Sequence, residues 1–283
     1  MDIRTTYFSS YLSLLILLCC HMNNGICQSS PQPFTLFHPV PDSLMREMTP
    51  DRPDKTESPV TVDAGHFMYE TAIAQYERSA TDDGTTKQLL INEATLKLGL
   101  SNSTDIQLIV QSFGQETKAQ TLSNKEKRQG FGDLTVRIKQ HLYGADKDAV
   151  ALAVMGYLKF PTTTFSTNKS YEGGIMVPVE IKLPHEWKLG LQIEGDRLKD
   201  DEGNNFHTEI FQSLVLSHSI FKKLEASAET YYTYDFKGHE WSNFLNAALL
   251  FEVNKNFKLD AGTYHGIQRG TETSYFLGAS FRL

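Results

Sequence analysis

From about residue 60 to its C-terminus the chain runs in short segments whose apolar and charged positions alternate with a period of two. That restricts it to a fold made of strands. Successive side chains of a strand point to opposite faces, so both faces can be named. Leu134, Val136, Ile138 and Leu142 make one face, while Thr135, Arg137, Lys139 and His141 make the other. Ile175, Val177, Val179, Ile181 and Leu183 oppose Met176, Glu180 and Lys182; Trp187, Leu189, Leu191 and Ile193 oppose Lys188, Gln192 and Glu194. The split returns where Leu224, Ala226, Ala228, Thr230 and Tyr232 oppose Glu225, Ser227 and Glu229, and where Leu259, Ala261 and Thr263 oppose Lys258 and Asp260.

About twelve such segments can be marked, at 61–76, 87–100, 105–113, 132–143, 149–160, 174–183, 187–195, 207–217, 224–234, 241–252, 257–265 and 274–283. A length of about ten residues suits tilted strands that cross a membrane. The connections at 101–104, 144–148, 184–186, 219–223 and 254–256 are short. Longer ones, notably 114–131 and 161–173, alternate with them, the rhythm of a barrel with tight periplasmic turns and longer outer loops. The last strand places Tyr275, Leu277, Ala279, Phe281 and Leu283 on one apolar, aromatic face. The fold class expected is all-β, a transmembrane antiparallel β-barrel of about twelve strands; a soluble lipocalin-like barrel binding a small ligand is the competing architecture.

The N-terminus reads as an export signal over residues 1–27: Arg4 gives the positive charge and Tyr11–Cys20 the apolar run, too short to span a bilayer. Cleavage is placed after Cys27, and since Cys19, Cys20 and Cys27 are the only cysteines, the mature chain has no disulfide or thiolate site. None of them follows the Leu-small-small run of a lipidation signal. Beyond the signal no apolar run of 18 residues occurs, so helical spans are excluded. The net charge of −7 gives no reason to expect nucleic acid as a partner. Residues 28–59 hold Pro31, Pro33, Pro39, Pro41, Pro50, Pro53 and Pro59, which predicts an irregular periplasmic arm, with a turn at most near Asp42–Met48. The barrel is then 60–283.

A catalytic pair is hard to find. No His has a Ser two places away, the spacing that would bring both to one strand face. Ser217, His218 and Ser219 are neighbours on opposite faces, and Glu225 and Glu229 read as two of many lumen charges. His66 and Glu70 stand about 13 Å apart in a strand, too far to share an ion. Asp51, Asp54 and Glu57 lack the glycine and spacing of a calcium loop, and the His-Glu-Trp triplets at 185–187 and 239–241 fall at connections on opposite membrane sides. No cofactor, metal or catalytic residue is expected.

The segment DRPDKTESPVTVDAGHFMYE (51–70) resembles the family named for the putative MetA-pathway of phenol degradation. The resemblance starts near LMREM (44–48) and continues through Gly130–Asp133 and LTVRIKQHLYG to a barrel-like C-terminus. It implies an outer-membrane, transporter-like barrel passing small, hydrophobic or aromatic compounds. It does not imply phenol chemistry. Within the block, Gly65 allows close backbone approach or a bend, and His66, Met68 and Glu70 share an inner face that seats the arm.

Together these readings predict a porin-like conduit in the outer membrane of a Gram-negative cell, reached by Sec-type export. Its partners are outer-membrane lipid, the assembly machinery and an unspecified small solute. A lipid-modifying outer-membrane enzyme is the second reading. The lumen-lining residues expected are Glu70, Glu93, Lys97, Arg137, Lys139, Lys159, Glu180, Lys182, Glu194, Glu229 and Arg282. Arg52, Asp54 and Lys55 are expected in an arm that covers or enters the periplasmic mouth, opposite Glu70, Glu93, Lys97 and Glu252.

Overall fold

The structure is a computed structural model that describes residues 33–82, 84–119, 125–144, 148–165, 169–200, 203 and 205–283. The signal expected over 1–27 and the start of the arm lie outside these residues. The arm from Phe34 and all the strands belong to one unit, Phe34–Leu283.

Among the described residues thirteen strands occur in order: β1 Phe67–Thr81, β2 Gly84–Ser101, β3 Thr104–Ala119, β4 Lys125–Gly130, β5 Leu134–Tyr143, β6 Val150–Phe160, β7 Glu172–Lys182, β8 Trp187–Lys199, β9 Phe206–Phe221, β10 Leu224–Asp235, β11 Glu240–Asn254, β12 Phe257–Gly266 and β13 Thr273–Arg282. Neighbours in sequence pair antiparallel, save β4 and β5, and β1 pairs with β13 from Met68↔Arg282 to Arg78↔Thr273, which closes the sheet into a barrel. β3 pairs with β5 through Thr104–Val110 and with β4 through Gly114–Ala119. The closed wall therefore has twelve strands, and β4 with the end of β3 makes a hairpin beyond it.

The wall is inside-out relative to a soluble barrel. Ile138, Ile175, Ile193, Leu245 and Leu277 are exposed, while Lys97, Gln107, Lys139, Glu229 and Ser280 are buried. Closure leaves no unpaired edge, and an apolar outer band against lipid with polar groups inside is what a bilayer demands of a spanning sheet. The positive-φ residues His185, Glu186 and His239 place both His-Glu-Trp triplets at turns, at opposite ends of the barrel.

Three expectations need correction. The first strand starts at Phe67 rather than 61, because residues 61–66 are spent on the arm: Val62 donates its N–H to Asp105 and Gly65 to the Gly99 carbonyl. Within 114–131, expected as a loop, residues 114–119 and 125–130 pair as strands, since their backbone groups find partners across β3 and β4. The long and short connections do not alternate strictly either, as β1 and β2 are separated by two residues, 82 and 83. There, length at the far end of the barrel is taken up by the strands, 15 and 18 residues long.

Candidate functional site: an arm across the lumen

The inward positions of the wall face an arm, residues 34–66, that enters from the end where β1 starts and β13 ends. We call this end the base and the other the rim. At the base Leu36 N–H donates to the Leu100 carbonyl at 2.9 Å, and His66 Nε2 lies 2.7 Å from the Val40 carbonyl. Gly65 sits at φ +78°, and a Cβ there would collide with Pro39, so only glycine suits this approach. Arg46 clasps Asp63 at 2.7 Å and the Thr61 carbonyl at 2.8 Å, and Arg282 of β13 donates to the Arg46 carbonyl at 2.8 Å. Met48, Val62 and Met68 add a small apolar core under these contacts.

From Pro50 to Pro59 the arm crosses the lumen. Asp51 receives Lys97 and, at 2.8 Å, Lys139; Lys97 also reaches Glu70. Glu70 in turn accepts the backbone N–H groups of Asp51 and Arg52 at 3.1 and 3.2 Å. Arg52 extends to Asp260 at 2.8 Å and lies over the Phe276 ring. On the far side Glu229 takes the N–H groups of Lys55 and Thr56 at 3.0 and 2.7 Å, and the Thr56 hydroxyl at 2.6 Å. Glu57 pairs with Arg137 and donates its own N–H to Gln192 at 2.8 Å. Tyr264 donates its hydroxyl to the Pro53 carbonyl at 2.6 Å, and Ser227 donates to Asp54 at 2.6 Å. A crossing chain with no strand partner must place its backbone groups somewhere, and this one places them on wall side chains.

The electrostatics of two arm carboxylates differ. Asp51 is held well below the usual range: burial would push it up, but the adjacent Lys139 and Lys97 outweigh it. Asp54 is pushed up to about 7, by burial first and then by the neighbouring Glu229.

The crossing separates two cavities. The one toward the rim has about 380 Å³ and is lined by Glu93, Glu194, Phe211, Tyr231 and Tyr264 among others. The one toward the base has about 260 Å³ and includes Glu180, Lys182, Lys188, Glu225 and Lys258. Asp51, Arg52, Asp54 and Glu57 line both.

The residues singled out from the sequence are thus spread along the whole lumen. Glu70, Lys97, Arg137, Lys139 and Glu229 touch the crossing, Glu93 and Glu194 line the rim-side cavity, and Glu180 and Lys182 the base-side one. Arg282 is at the base, and Lys159 pairs with Glu172 near the rim. The pairing differs in detail from that expected: Arg46 turns back to Asp63, Arg52 goes to Asp260, and Lys55 lies over the Tyr264 ring at 4.8 Å. Sequence reasoning missed Tyr231, Tyr264 and Phe276 as inward groups. Parity was the available signal, since they share a face with Glu229, Asp260 and Arg282, respectively.

Fold and lumen together define a transmembrane β-barrel of the outer-membrane type whose interior is crossed by its own N-terminal arm. The chain belongs to the family described as Putative MetA-pathway of phenol degradation, matched over residues 50–283, so the crossing lies within the matched region. No curated protein matches it in sequence. Among solved structures it is similar to an outer membrane channel from Pseudomonas putida F1, with 12% identity and a TM-score of 0.63, covering 84% of this chain and 100% of that one. It is also similar to the translocator domain of the autotransporter NalP from Neisseria meningitidis, with 11% identity, a TM-score of 0.51, and 76% and 87% coverage. The NanC porin matches with 12% identity, a TM-score of 0.50, and 77% and 100% coverage. At these identities the likeness is one of fold.

Proposed function

We propose that this protein is an outer-membrane channel for small molecules, exported into a Gram-negative envelope, and that its N-terminal arm is a movable closure. The base is then the periplasmic end and the rim the outer one. The observation that carries this is the chemistry of the crossing: polar groups hold it on every side, and a cavity lies above and below it. An apolar plug would lose its burial on leaving. A hydrogen-bonded one exchanges each bond for water, at a net cost of only about 0.5–1.5 kcal/mol per bond. The base contacts of residues 35–46 then serve as a tether from which the crossing swings. The aromatic groups of the rim-side cavity suit solutes with an apolar or aromatic body. The lumen-lining residues act here as a mixed-sign filter and not as a catalytic set. The exposed apolar belt speaks for this reading over a soluble ligand-binding barrel, in which those residues would face water.

Membrane fractionation and planar-bilayer recording test it. The full chain should resist carbonate extraction, shift in mobility on an unheated gel, and conduct in small or brief steps. Deleting residues 50–58 should raise conductance several-fold with the gel shift retained. Unchanged conductance in a variant that keeps the shift removes the closure, and recovery in the soluble periplasm removes the channel.

A further inference from the structure

The cations of the crossing are not held alike. Arg52 has Asp260 beside it, whereas Lys55 Nζ has the Tyr264 ring face at 4.8 Å and, among the described residues, no carboxylate at ion-pair distance. A ring face attracts a cation through its quadrupole, and does so more strongly out of water. The lumen therefore already seats an ammonium on an aromatic wall, and the arm supplies it. Around that ammonium the rim-side cavity is lined by Phe211 and Tyr231, whose rings are 5.2 Å apart, and by Glu93 and Glu194. Tyr231 stacks on Phe244 at 4.4 Å, and Phe244 lines a further cavity at the rim together with Glu272 and Trp241. An aromatic track accompanied by carboxylates thus runs from the rim down to Lys55.

The charge balance has a sign. Asp51, Glu57 and Glu70 are matched by Lys97, Lys139 and Arg137, and Arg52 by Asp260. That leaves Glu93 and Glu194 on the cavity lining, and Asp54 where it is ionised, with Lys55 as the remaining cation against them among the described residues. An anionic solute would meet carboxylates at each step. A cation with an apolar or aromatic body would meet ring faces and carboxylates.

We propose that the rim-side cavity is a binding site for organic cations, an ammonium carried on an aromatic or aliphatic body, which compete with Lys55 for the aromatic wall. The cavity's volume of about 380 Å³ falls within the range of small-molecule sites. The inference rests on the channel reading for its physiological sense, since the cavity is the outer half of the proposed conduit. Binding itself requires no conduction.

The test is equilibrium binding to the full chain in detergent, with phenyltrimethylammonium as probe and benzoate as its anionic counterpart, beside bilayer recording on the same preparation. Phenyltrimethylammonium should bind at least tenfold more tightly than benzoate. Glu93→Gln with Glu194→Gln should weaken it about tenfold, and Tyr231→Leu should weaken it severalfold. Lys55→Met, which removes the internal competitor, should tighten it severalfold, a gain that misfolding cannot mimic. Equal binding of cation and anion, or a Lys55→Met chain that binds the cation no better than the parent, overturns the proposal. Conductance without cation binding ends the site and leaves the channel, whereas cation binding without conductance keeps the site and ends the channel.

Discussion

The two sides of the lumen hold the crossing arm with opposite polarity. On the β2–β5 side the wall is cationic: Lys97, Lys139 and Arg137 meet the arm's carboxylates Asp51 and Glu57. On the β10–β13 side the wall is anionic and aromatic, and Glu229, Asp260, Tyr264 and Phe276 meet the arm's N–H groups and its cations Arg52 and Lys55. The difference explains the arm's own pattern. Through the bends of the crossing, Asp51 and Glu57 reach the cationic wall and Arg52 and Lys55 the anionic, aromatic one, as a lumen with a positive and a negative side requires. The mixed charges of the segment 51–57 are therefore matched to position and are more than a solvated surface.

The comparison is broken most severely on the cationic side. Removing one partner of a buried pair costs about 3–5 kcal/mol, because the other charge stays uncompensated. In Lys97→Ala with Lys139→Ala the arm can relieve that cost by leaving, so single-channel conductance should rise several-fold and the crossing should become open to added protease. A closed, protected arm in this variant would mean that the positive wall is not what holds it.

A change on the lipid side of the same wall should act differently. Leu191→Arg places charge against hydrocarbon at about 2–4 kcal/mol and should impair assembly, as read from the gel shift. Gln192→Arg, one residue on, loses the acceptor for the Glu57 N–H and should assemble while gating more readily. Equal assembly defects would mean that the two faces are wrongly assigned, since a slip of one residue exchanges them.

Next in size is the anionic side. Glu229→Ala strands the two arm N–H groups that Glu229 accepts, at about 1–3 kcal/mol. Glu229→Gln keeps an acceptor and should restore much of the closure in bilayer recordings. If Gln performs no better than Ala, the charge and not the acceptor matters there.

The smallest expected effect is that of pH. Asp54 in the docked arm is raised from 3.8 to about 7, so its contribution to docking is complete below 3.8 and is lost as pH rises through about 7. Asp51 is depressed, so its contribution is complete above 3.8 and is lost as pH falls below it. Open probability should be lowest near pH 3.8, should climb from there to about pH 7 and level off above it, and Asp54→Asn should flatten that climb. An alkaline limb that persists in Asp54→Asn assigns it to another group.

The sequence by itself determined the barrel, because a period of two with one apolar and one charged face is a local property written into each segment. In a bilayer, a closed sheet without edges turns its apolar side to lipid. Strand number followed for the same reason, and parity groups Lys97, Arg137, Lys139 and Glu229 with the polar faces of their strands. Only the tertiary structure decided where the first strand starts, that 114–119 pairs with 125–130, and which charge meets which. Those depend on partners far apart in the chain, Arg52 with Asp260 and Glu57 with Arg137, and no local pattern records them. The inward aromatics escaped notice because aromatic side chains suit lipid and lumen alike. What turned Tyr264 and Phe276 inward was the register of β12 and β13, and what gave them a role was the arm brought against them.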